Sequence, residues 1–316
     1  MTRFMFKKAR HELVTLKRLP SVIFGVIVMW IMISPVAAHN NVVVIPLSGD
    51  DIQPLANIVT VAKRNGDFSD PISAMNSIFD SGRDNPYLIV IAPGVYTMSE
   101  SLKIRPYVSI VGSGSSTTII RGSVSGDSLN GDSALIDYGV AGEITISDIT
   151  LENSSRDKNH SVGIYNTSIL KLNNVSVKLQ DGINQVGVYS TRPFDGIEIR
   201  DSEIEVSDSV VSGVGMQGPF EIFDSTVRVR GTLPVAFKIN SFNNPFYMDG
   251  VAAFSGNNAE NTLFDVSGIS AQSGFQFITN SRILGRVIGS NIQCSGVFLV
   301  FSSGALPSDD ACQLQN

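Results

Sequence analysis

The sequence predicts an all-β protein, a single-stranded right-handed parallel β-helix (solenoid) with a short N-terminal capping helix. The main observation is a repeat: Ile146, Leu172, Ile199 and Ile222 hold the same place in four similar segments and are 26, 27 and 23 residues apart. Apolar and polar residues alternate within each segment, which is typical of strands with one face inward. No helical pattern separates the strands, and a repeat built of several short strands indicates a solenoid.

Each repeat contains two kinds of segment. The first kind has two short alternating strands broken by an Asp or Asn, and it occurs at residues 144–152, 170–178, 197–206 and 220–230. The second kind is a shorter apolar segment, found at 162–166 and 186–190 and more loosely at 212–216 and 235–239. The inward side chains of successive coils therefore stack into one apolar core, and each coil bonds only to its neighbours.

The same alignment predicts which outward charges lie side by side. Glu152 is expected next to Lys178, and Glu205 next to Arg228, on successive coils. Neighbouring strands are about 4.8 Å apart, so opposite charges at these positions stabilise the stack slightly. The charges are either a solvated structural feature or a ladder that binds a ligand.

A helix is predicted at residues 70–79, where it would cover the exposed edge of the first coil. Asp70 is a suitable cap and Pro71 is suited to the first turn. The apolar residues expected on one face of this helix are Ile72, Met75, Ile78 and Phe79. We place the cap at about 58–85, the β-helix domain at 39–316, and a C-terminal tail at about 295–316.

Residues 1–38 have the pattern of a secretory signal. Six basic groups and one acidic group precede an uncharged apolar run at residues 21–33, and small residues stand before His39. The run is short for a membrane span of about 20 residues, which favours cleavage over an uncleaved anchor. The sequence therefore predicts export, to the periplasm, the cell surface or the extracellular space, with no membrane span after cleavage.

The charge of the mature chain excludes one class of partner. Removing the leader lowers the basic residues from 23 to 17 and the acidic residues from 29 to 28, so the formal charge changes from −6 to −11. Nucleic-acid binding requires a basic surface, so it is not expected.

The two cysteines, Cys294 and Cys312, lie near the C-terminus. An even number in an exported chain indicates a disulfide. The alternative is a pair of buried free thiols.

The N-terminal half of the mature chain resembles a known family. Residues 60–68, the predicted helix, and residues 87–96, 108–114 and 117–122 are similar, in the same order, to the N-terminal half of pectin methylesterases. These enzymes belong to the pectin-lyase-like right-handed β-helix superfamily. The resemblance implies the same fold, and a polysaccharide as the partner.

The resemblance also implies candidate catalytic residues. The family uses a carboxylate nucleophile, a second carboxylate as acid and base, glutamines that stabilise the oxyanion, and an orienting arginine. Gln180 and Asp181 resemble the family's Gln-Asp-Thr block and would be the oxyanion donor and the acid/base. Asp208 is the carboxylate closest to the position of the nucleophile, and Arg286 follows Leu284-Gly285 as in the family's Leu-Gly-Arg-Pro-Trp.

The sequence departs from the family pattern in several places. The family's Val-Asp-Phe-Ile-Phe-Gly string is absent, Val287-Ile288 replaces Pro-Trp, and no glutamine stands near Asn159-His160-Ser161. Gln180 and Asp181 are alternatively turn residues between coils, which is a common role for Asp-Gly.

Two further groups of residues suggest ligands. Arg228 and Arg230, on one outward face, are suited to bind a uronate carboxylate, or are ordinary surface residues. The loop at residues 126–132 contains Asp127, Asn130 and Asp132, whose oxygens suit calcium, although a polar loop explains it equally well. No other cofactor is expected.

Three functions agree with these observations. The first is an exported, pectinesterase-like β-helix that acts as an extracellular or surface glycan-binding or structural module. The second is a divergent carbohydrate esterase that hydrolyses methyl esters of an acidic polysaccharide. The third is an adhesive module that binds another protein. Because the mature chain is acidic, an acidic polysaccharide would need a local basic patch.

Overall fold

The protein is a parallel β-helix, as the repeat predicted. The computed structural model describes residues 57–192, 196–239, 246–256, 262–265, 276–288, 292–301 and 304–307. In chain order its elements are β1 (Asn57–Val61), α1 (Pro71–Ser77), β2 (Tyr87–Ile91), β3 (Gly94–Met98), β4 (Leu102–Lys103), β5 (Val108–Val111), β6 (Thr118–Gly122), a 3-10 helix (Gly131–Ser133), β7 (Ala134–Tyr138), β8 (Glu143–Ser154), β9 (His160–Asn166), β10 (Ile169–Gln180), β11 (Asn184–Ser190), β12 (Ile197–Arg200), β13 (Glu203–Ser209), β14 (Ser212–Gln217), β15 (Phe220–Phe223), β16 (Thr226–Gly231), β17 (Pro234–Lys238), β18 (Phe246–Asp249), β19 (Ala252–Ser255), β20 (Thr262–Asp265), β21 (Gln276–Thr279), β22 (Arg282–Leu284), β23 (Arg286–Ile288), β24 (Ile292–Ser295), β25 (Phe298–Phe301) and β26 (Gly304–Pro307).

The strands stack into three faces. The first face contains β1, β2, β5, the first half of β8 and of β10, then β12, β15, β18, β21 and β24. The second contains β3, β6, the second half of β8 and of β10, then β13, β16, β19, β22 and β25. The third is an eight-stranded sheet of β4, β7, β9, β11, β14, β17, β20 and β23.

The observed register confirms the predicted repeat. Ile146 pairs with Leu172, Leu172 with Ile199, and Ile199 with Ile222. All four side chains are almost fully buried in one core that runs along the solenoid. Each such side chain contributes roughly 1.5–3 kcal/mol through the hydrophobic effect. The stack of inward residues is therefore what holds successive coils together.

A left-handed residue marks the first corner, where each coil passes from the first face to the second. Asp148, Asn174, Asp201, Asp224 and Asn280 occupy this position with φ between 45° and 56°. Asn and Asp tolerate this conformation better than most residues because their short side chains bond locally. The Asp or Asn that interrupts each repeat is thus the residue that turns the chain.

The capping helix forms as predicted at its start and ends earlier than predicted. Asp70 accepts a hydrogen bond from the Ser73 backbone N–H at 2.8 Å, and Met75 and Ile78 are buried. Phe79, however, is 85% exposed and does not line the buried face. The reason is that Ile78 is already extended, so the helical periodicity stops at Ser77.

Several predictions concern residues outside the described ranges. The leader, residues 39–56 and Cys312 all lie there, so cleavage and the disulfide stay predictions, while Cys294 itself is buried. The predicted C-terminal tail contains β25 and β26, which pair in antiparallel fashion. Within the described ranges no helix is long and apolar enough to span a membrane.

Candidate functional site

An open groove of about 530 Å³ lies on the second face. It lies across the outward surfaces of β6, β8, β10 and β13. Since strand residues alternate between core and solvent, the groove floor consists of every second side chain of these strands. Its floor includes Arg121, Glu152, Lys178, Glu205, Gln180 and Ser207.

A ladder of alternating charge runs along the groove. Arg121 pairs in register with Glu152, Glu152 with Lys178, Lys178 with Glu205, and Glu205 with Arg228. These pairs include both that the sequence predicted, Glu152 with Lys178 and Glu205 with Arg228. The five residues are hereafter called the charge ladder.

Most members of the charge ladder are already ion-paired. Arg121 Nε donates to Glu152 Oε2 at 2.6 Å, and Arg228 Nη1 donates to Glu203 Oε1 at 3.2 Å. Arg230 Nη1 lies 3.5 Å from Glu205 Oε1. Lys178 forms no hydrogen bond or ion pair with any residue in the part of the chain that the structure describes. The centre of the groove thus presents a cation without a partner.

A second line of polar groups borders the ladder. Gln180 is exposed at the end of β10 and pairs in register with Ser154 on the preceding coil. Its carboxamide has no hydrogen-bond partner among the described residues. Ser207, on the next coil, donates a 3.4 Å hydrogen bond to the Leu179 carbonyl. These groups offer a donor and acceptors to a hydroxyl-rich ligand.

The candidate carboxylates Asp181 and Asp208 lie at the second corner, where each coil leaves the second face for the third. Both are left-handed, with φ of 59° and 56°. Asp208 stands at a bulge in β13, between Val206 and Ser209. The hydrogen bond from the Val210 N–H to the Gly182 carbonyl joins the two turns on adjacent coils. Both residues therefore also have a structural reason to be Asp.

Arg156 holds the first of these carboxylates. Its Nη2 donates to Asp181 Oδ1 at 2.6 Å, and its Nε donates to the Asp181 backbone carbonyl at 2.8 Å. This two-point contact fixes the direction of the carboxylate at the rim of the groove. The same arginine also fastens the turn itself, since one of its two acceptors is backbone.

The structure separates Arg286 from the other candidate catalytic residues. Gln180, Asp181 and Asp208 lie at one edge of the groove, on adjacent coils. Arg286 begins β23 on the third face, three strands beyond β14 of the Asp208 coil, or about 14 Å along the axis. The arginine on the coil next to Asp208 is instead Arg230, because Ser209 pairs with Gly231.

Arg228 and Arg230 lie on β16, the strand next to the groove, and are not among the residues that line it. Besides its contact with Glu203, the Arg228 guanidinium lies 5.5 Å from the centroid of the Phe254 ring. Exposed ion pairs of this kind contribute only about 0–1 kcal/mol. Both arginines can therefore leave their glutamate partners and form an ion pair with a carboxylate of a ligand instead.

In the loop considered for calcium, both carboxylates are ion-paired with lysines. Asp127 accepts from Lys158 at 2.7 Å, Asp132 accepts from Lys103 at 3.1 Å, and Asn130 caps the 3-10 helix. The hydrogen bond to Asp132 raises the pKa of Lys103 above its ordinary value. No group of three or more His, Cys, Asp or Glu suited to a metal occurs within the described ranges. As arranged, these carboxylates serve two separate ion pairs.

Sequence reasoning missed three residues that shape the site. Arg121 escaped because 31 residues separate it from its partner Glu152, which is longer than the repeat. Arg156 lies in a connecting loop without periodicity. Asn153 is buried and bonds Val124, Ser161 and Val162, although its place in the repeat is otherwise apolar. The sequence signal that could have identified Asn153 is a polar residue at an inward position of the repeat.

The comparisons with known proteins agree with this architecture. No family model matches the chain, and no curated protein matches it. Among solved structures, the pectin methylesterase PemA from Erwinia chrysanthemi is similar with a TM-score of 0.53 and 15% identity, over 83% of this chain and 94% of that chain. The chain has the β-helix fold of the pectin methylesterases.

Two other pectin methylesterase structures show the same likeness. The enzyme from Aspergillus niger in deglycosylated form has a TM-score of 0.54 and 12% identity, over 82% of this chain and 88% of that chain. A pectin methylesterase in complex with a hexasaccharide has a TM-score of 0.52 and 15% identity, over 82% and 93%. The resemblance drawn from the sequence is thus confirmed at the level of the fold.

Proposed function

We propose that this protein is an exported β-helix that binds an acidic glycan in the groove of the second face. The observation that carries the proposal is Lys178, a cation at the centre of the groove without an ionic partner among the described residues. A uronic acid carboxylate is the natural partner for it, and the free carboxamide of Gln180 is placed for sugar hydroxyls.

The local charge supports an acidic ligand. The whole chain has a formal charge of −6, whereas the charged residues that line the groove, Arg121, Lys178, Glu152 and Glu205, sum to zero. A neutral groove on an acidic molecule repels an acidic polysaccharide less than the rest of the surface does, and Arg228 adds a cation on the neighbouring strand. One solved structure with the same fold is a pectin methylesterase in complex with a hexasaccharide, so this fold can bind an oligosaccharide.

A binding experiment tests the proposal. Calorimetry with oligogalacturonates should give saturable binding that weakens with salt, and Lys178→Glu should weaken it at least tenfold. The matched control is Lys171→Glu, which makes the same charge change on the first face, where Lys171 pairs with Glu143 at 2.7 Å. Absence of binding to any acidic oligosaccharide, or equal effects of the two substitutions, would refute the proposal.

A carbohydrate esterase is the second candidate function. It is favoured by the placement of Gln180, Asp181 and Asp208 at one edge of the groove. In such an enzyme one carboxylate attacks the ester carbonyl and the other protonates the departing methanol. Against it, Ser154 rather than a glutamine stands opposite Gln180, Arg156 holds Asp181, and Arg286 lies on another face.

Methanol release from esterified pectin separates the two functions. We expect no release by the wild-type protein. Release that is abolished by both Asp181→Ala and Asp208→Ala, but not by Asp224→Ala at the first corner, would replace the binding proposal with the esterase. If neither glycan binding nor methanol release occurs, a pull-down from the cell envelope tests the adhesive alternative.

Export is tested separately, by mass spectrometry of the protein purified from its secreted or envelope fraction. The expected mature chain begins at His39. A chain that retains residues 1–38 would indicate an anchor instead.

A further inference from the structure

The sign of the charge on the second face alternates over five successive strands, from β6 to β16. Among the residues of its strands that point outward, β6 contributes Arg121, β8 contributes Glu152, and β10 contributes Lys178. The next strand, β13, contributes Glu203 and Glu205, and β16 contributes Arg228 and Arg230. The order along the axis is therefore positive, negative, positive, negative, positive.

This order sets a distance between like charges. Adjacent strands are about 4.8 Å apart, so the cations of β6, β10 and β16 follow one another at about 10 Å. The carboxylates of β8 and β13 lie midway between them. A linear ligand along the axis therefore meets a cation at every second coil.

The spacing discriminates between two kinds of acidic polymer. A pyranose unit extends a polysaccharide by about the rise of one coil, so a chain with a carboxylate on every sugar would place half of them against Glu152 and Glu205. Like charges brought together at an interface weaken binding and so reject the wrong partner. A chain with an acid on every second sugar puts each carboxylate on a cation.

The carboxylates of the ladder also suit the sugar between two acids. Glu152 and Glu205 line the groove, their side chains are 27% and 28% exposed, and each has one ion pair with an arginine, so each carboxylate has acceptor capacity left for a further donor. A neutral sugar with an amide N–H or hydroxyl groups supplies the donors that such oxygens accept.

We infer that the groove selects its ligand by the distance between successive negative charges. The ligand is an acidic glycan with a disaccharide repeat, in which a uronic acid alternates with a neutral, N-acylated sugar. This inference rests on the proposed function and narrows the ligand to one chemical class. Its basis is the alternation of charge from coil to coil together with Lys178, which has no ionic partner among the residues that the structure describes.

The test compares three hexasaccharides by calorimetry with the full chain. One alternates glucuronic acid with an N-acetylhexosamine, one is hexagalacturonate, and one is a neutral N-acetylglucosamine oligomer. We expect the alternating ligand to bind at least tenfold more tightly than hexagalacturonate, and the neutral oligomer not to bind. Equal or tighter binding of hexagalacturonate overturns this inference but leaves the proposed function standing, whereas absence of binding by both acids overturns both.

A charge variant tests the cause of the preference. Glu152→Gln with Glu205→Gln should raise the affinity for hexagalacturonate severalfold and reduce the preference for the alternating ligand. The control is Glu143→Gln with Glu198→Gln, which makes the same change in net charge on the first face. An equal gain in the control refutes the inference, and Glu152→Gln alone serves if the double variant does not fold by circular dichroism.

Discussion

The first and second corners of the coils, which lie on either side of the second face, are built in different ways. At the first corner, Asp148, Asn174, Asp201, Asp224 and Asn280 repeat one solution, a small polar residue in the left-handed conformation. From the third of these onward a buried serine follows in several coils, and Ser202 and Ser225 each bond the backbone of the preceding coil. This corner is a regular structural device.

The second corner changes from coil to coil. Asn153 fills the inside of one coil with a buried, fully bonded amide, while Leu179 occupies the same register position on the next. On that next coil Gln185 is fully buried, and neither amide atom has a partner among the described residues. The second corner borders the groove. Its varying residues therefore shape the rim on which Asp181 and Asp208 lie.

Loss of the Asn153 amide should have the largest effect on stability. Asn153→Leu leaves the backbone N–H of Val124 without its acceptor in the core and removes the amide's hydrogen bonds to the carbonyls of Val124 and Val162, the first of which keeps only a 3.3 Å hydrogen bond from Ser161 Oγ. We expect the free energy of unfolding in urea to fall by about 3 kcal/mol or more. Asn173→Leu, on the exposed first face, should change it by about 0.5 kcal/mol or less. If Asn153→Leu is as stable as wild type, the second corner does not depend on its amide.

A β-branched residue at the first corner should have the next largest effect. Asp201→Val places a bulky side chain at φ 49°. The expected loss is about 1–2 kcal/mol, measured by urea unfolding, because this conformation brings Cβ close to a carbonyl oxygen. Asp201→Asn should unfold as wild type does, since Asn tolerates this conformation. A loss of equal size in both variants would mean that the carboxylate, rather than the backbone, decides this corner.

Replacement of Gln185 should act in the opposite direction. Gln185→Met keeps the size of the side chain and removes an amide that is buried without a partner among the described residues. We expect a gain of about 1 kcal/mol in the free energy of unfolding. A clear loss of stability would show that the amide is bonded in solution, for example to an internal water molecule.

The smallest effect is expected from Arg156→Ala. Its ion pair with Asp181 is more than half exposed on both sides, so the free energy of unfolding should fall by less than about 1 kcal/mol. Asp181→Asn, which keeps the left-handed tolerance, should behave similarly. A loss above about 2 kcal/mol in Arg156→Ala would mean that the turn depends on this arginine.

Much of the fold followed from the repeat itself. The stacked core positions and the neighbouring charges Glu152 with Lys178 and Glu205 with Arg228 were predicted correctly, because alternation and a steady spacing determine them locally. The helix was predicted from its cap, yet Phe79 was placed wrongly, since the end of a short helix is set by tertiary packing.

The candidate site was predictable only in part. Gln180, Asp181 and Asp208 were selected from the sequence, and the structure brings them to one edge. The sequence did not show on which face of the solenoid Arg121 and Arg286 lie. Coil lengths vary, and a few extra residues move a side chain from one face to another. Whether Lys178 has a partner likewise depends on contacts across three coils.

The sequence by itself determined that this chain is a solenoid and which side chains point inward, since alternation is a property of each strand alone. Only the tertiary structure decided that Arg121 pairs with Glu152 and that Arg230 contacts Glu205, because these contacts depend on loop lengths and side-chain directions that the repeat does not determine. The charge ladder is therefore a product of stacking, although every one of its residues was visible in the sequence.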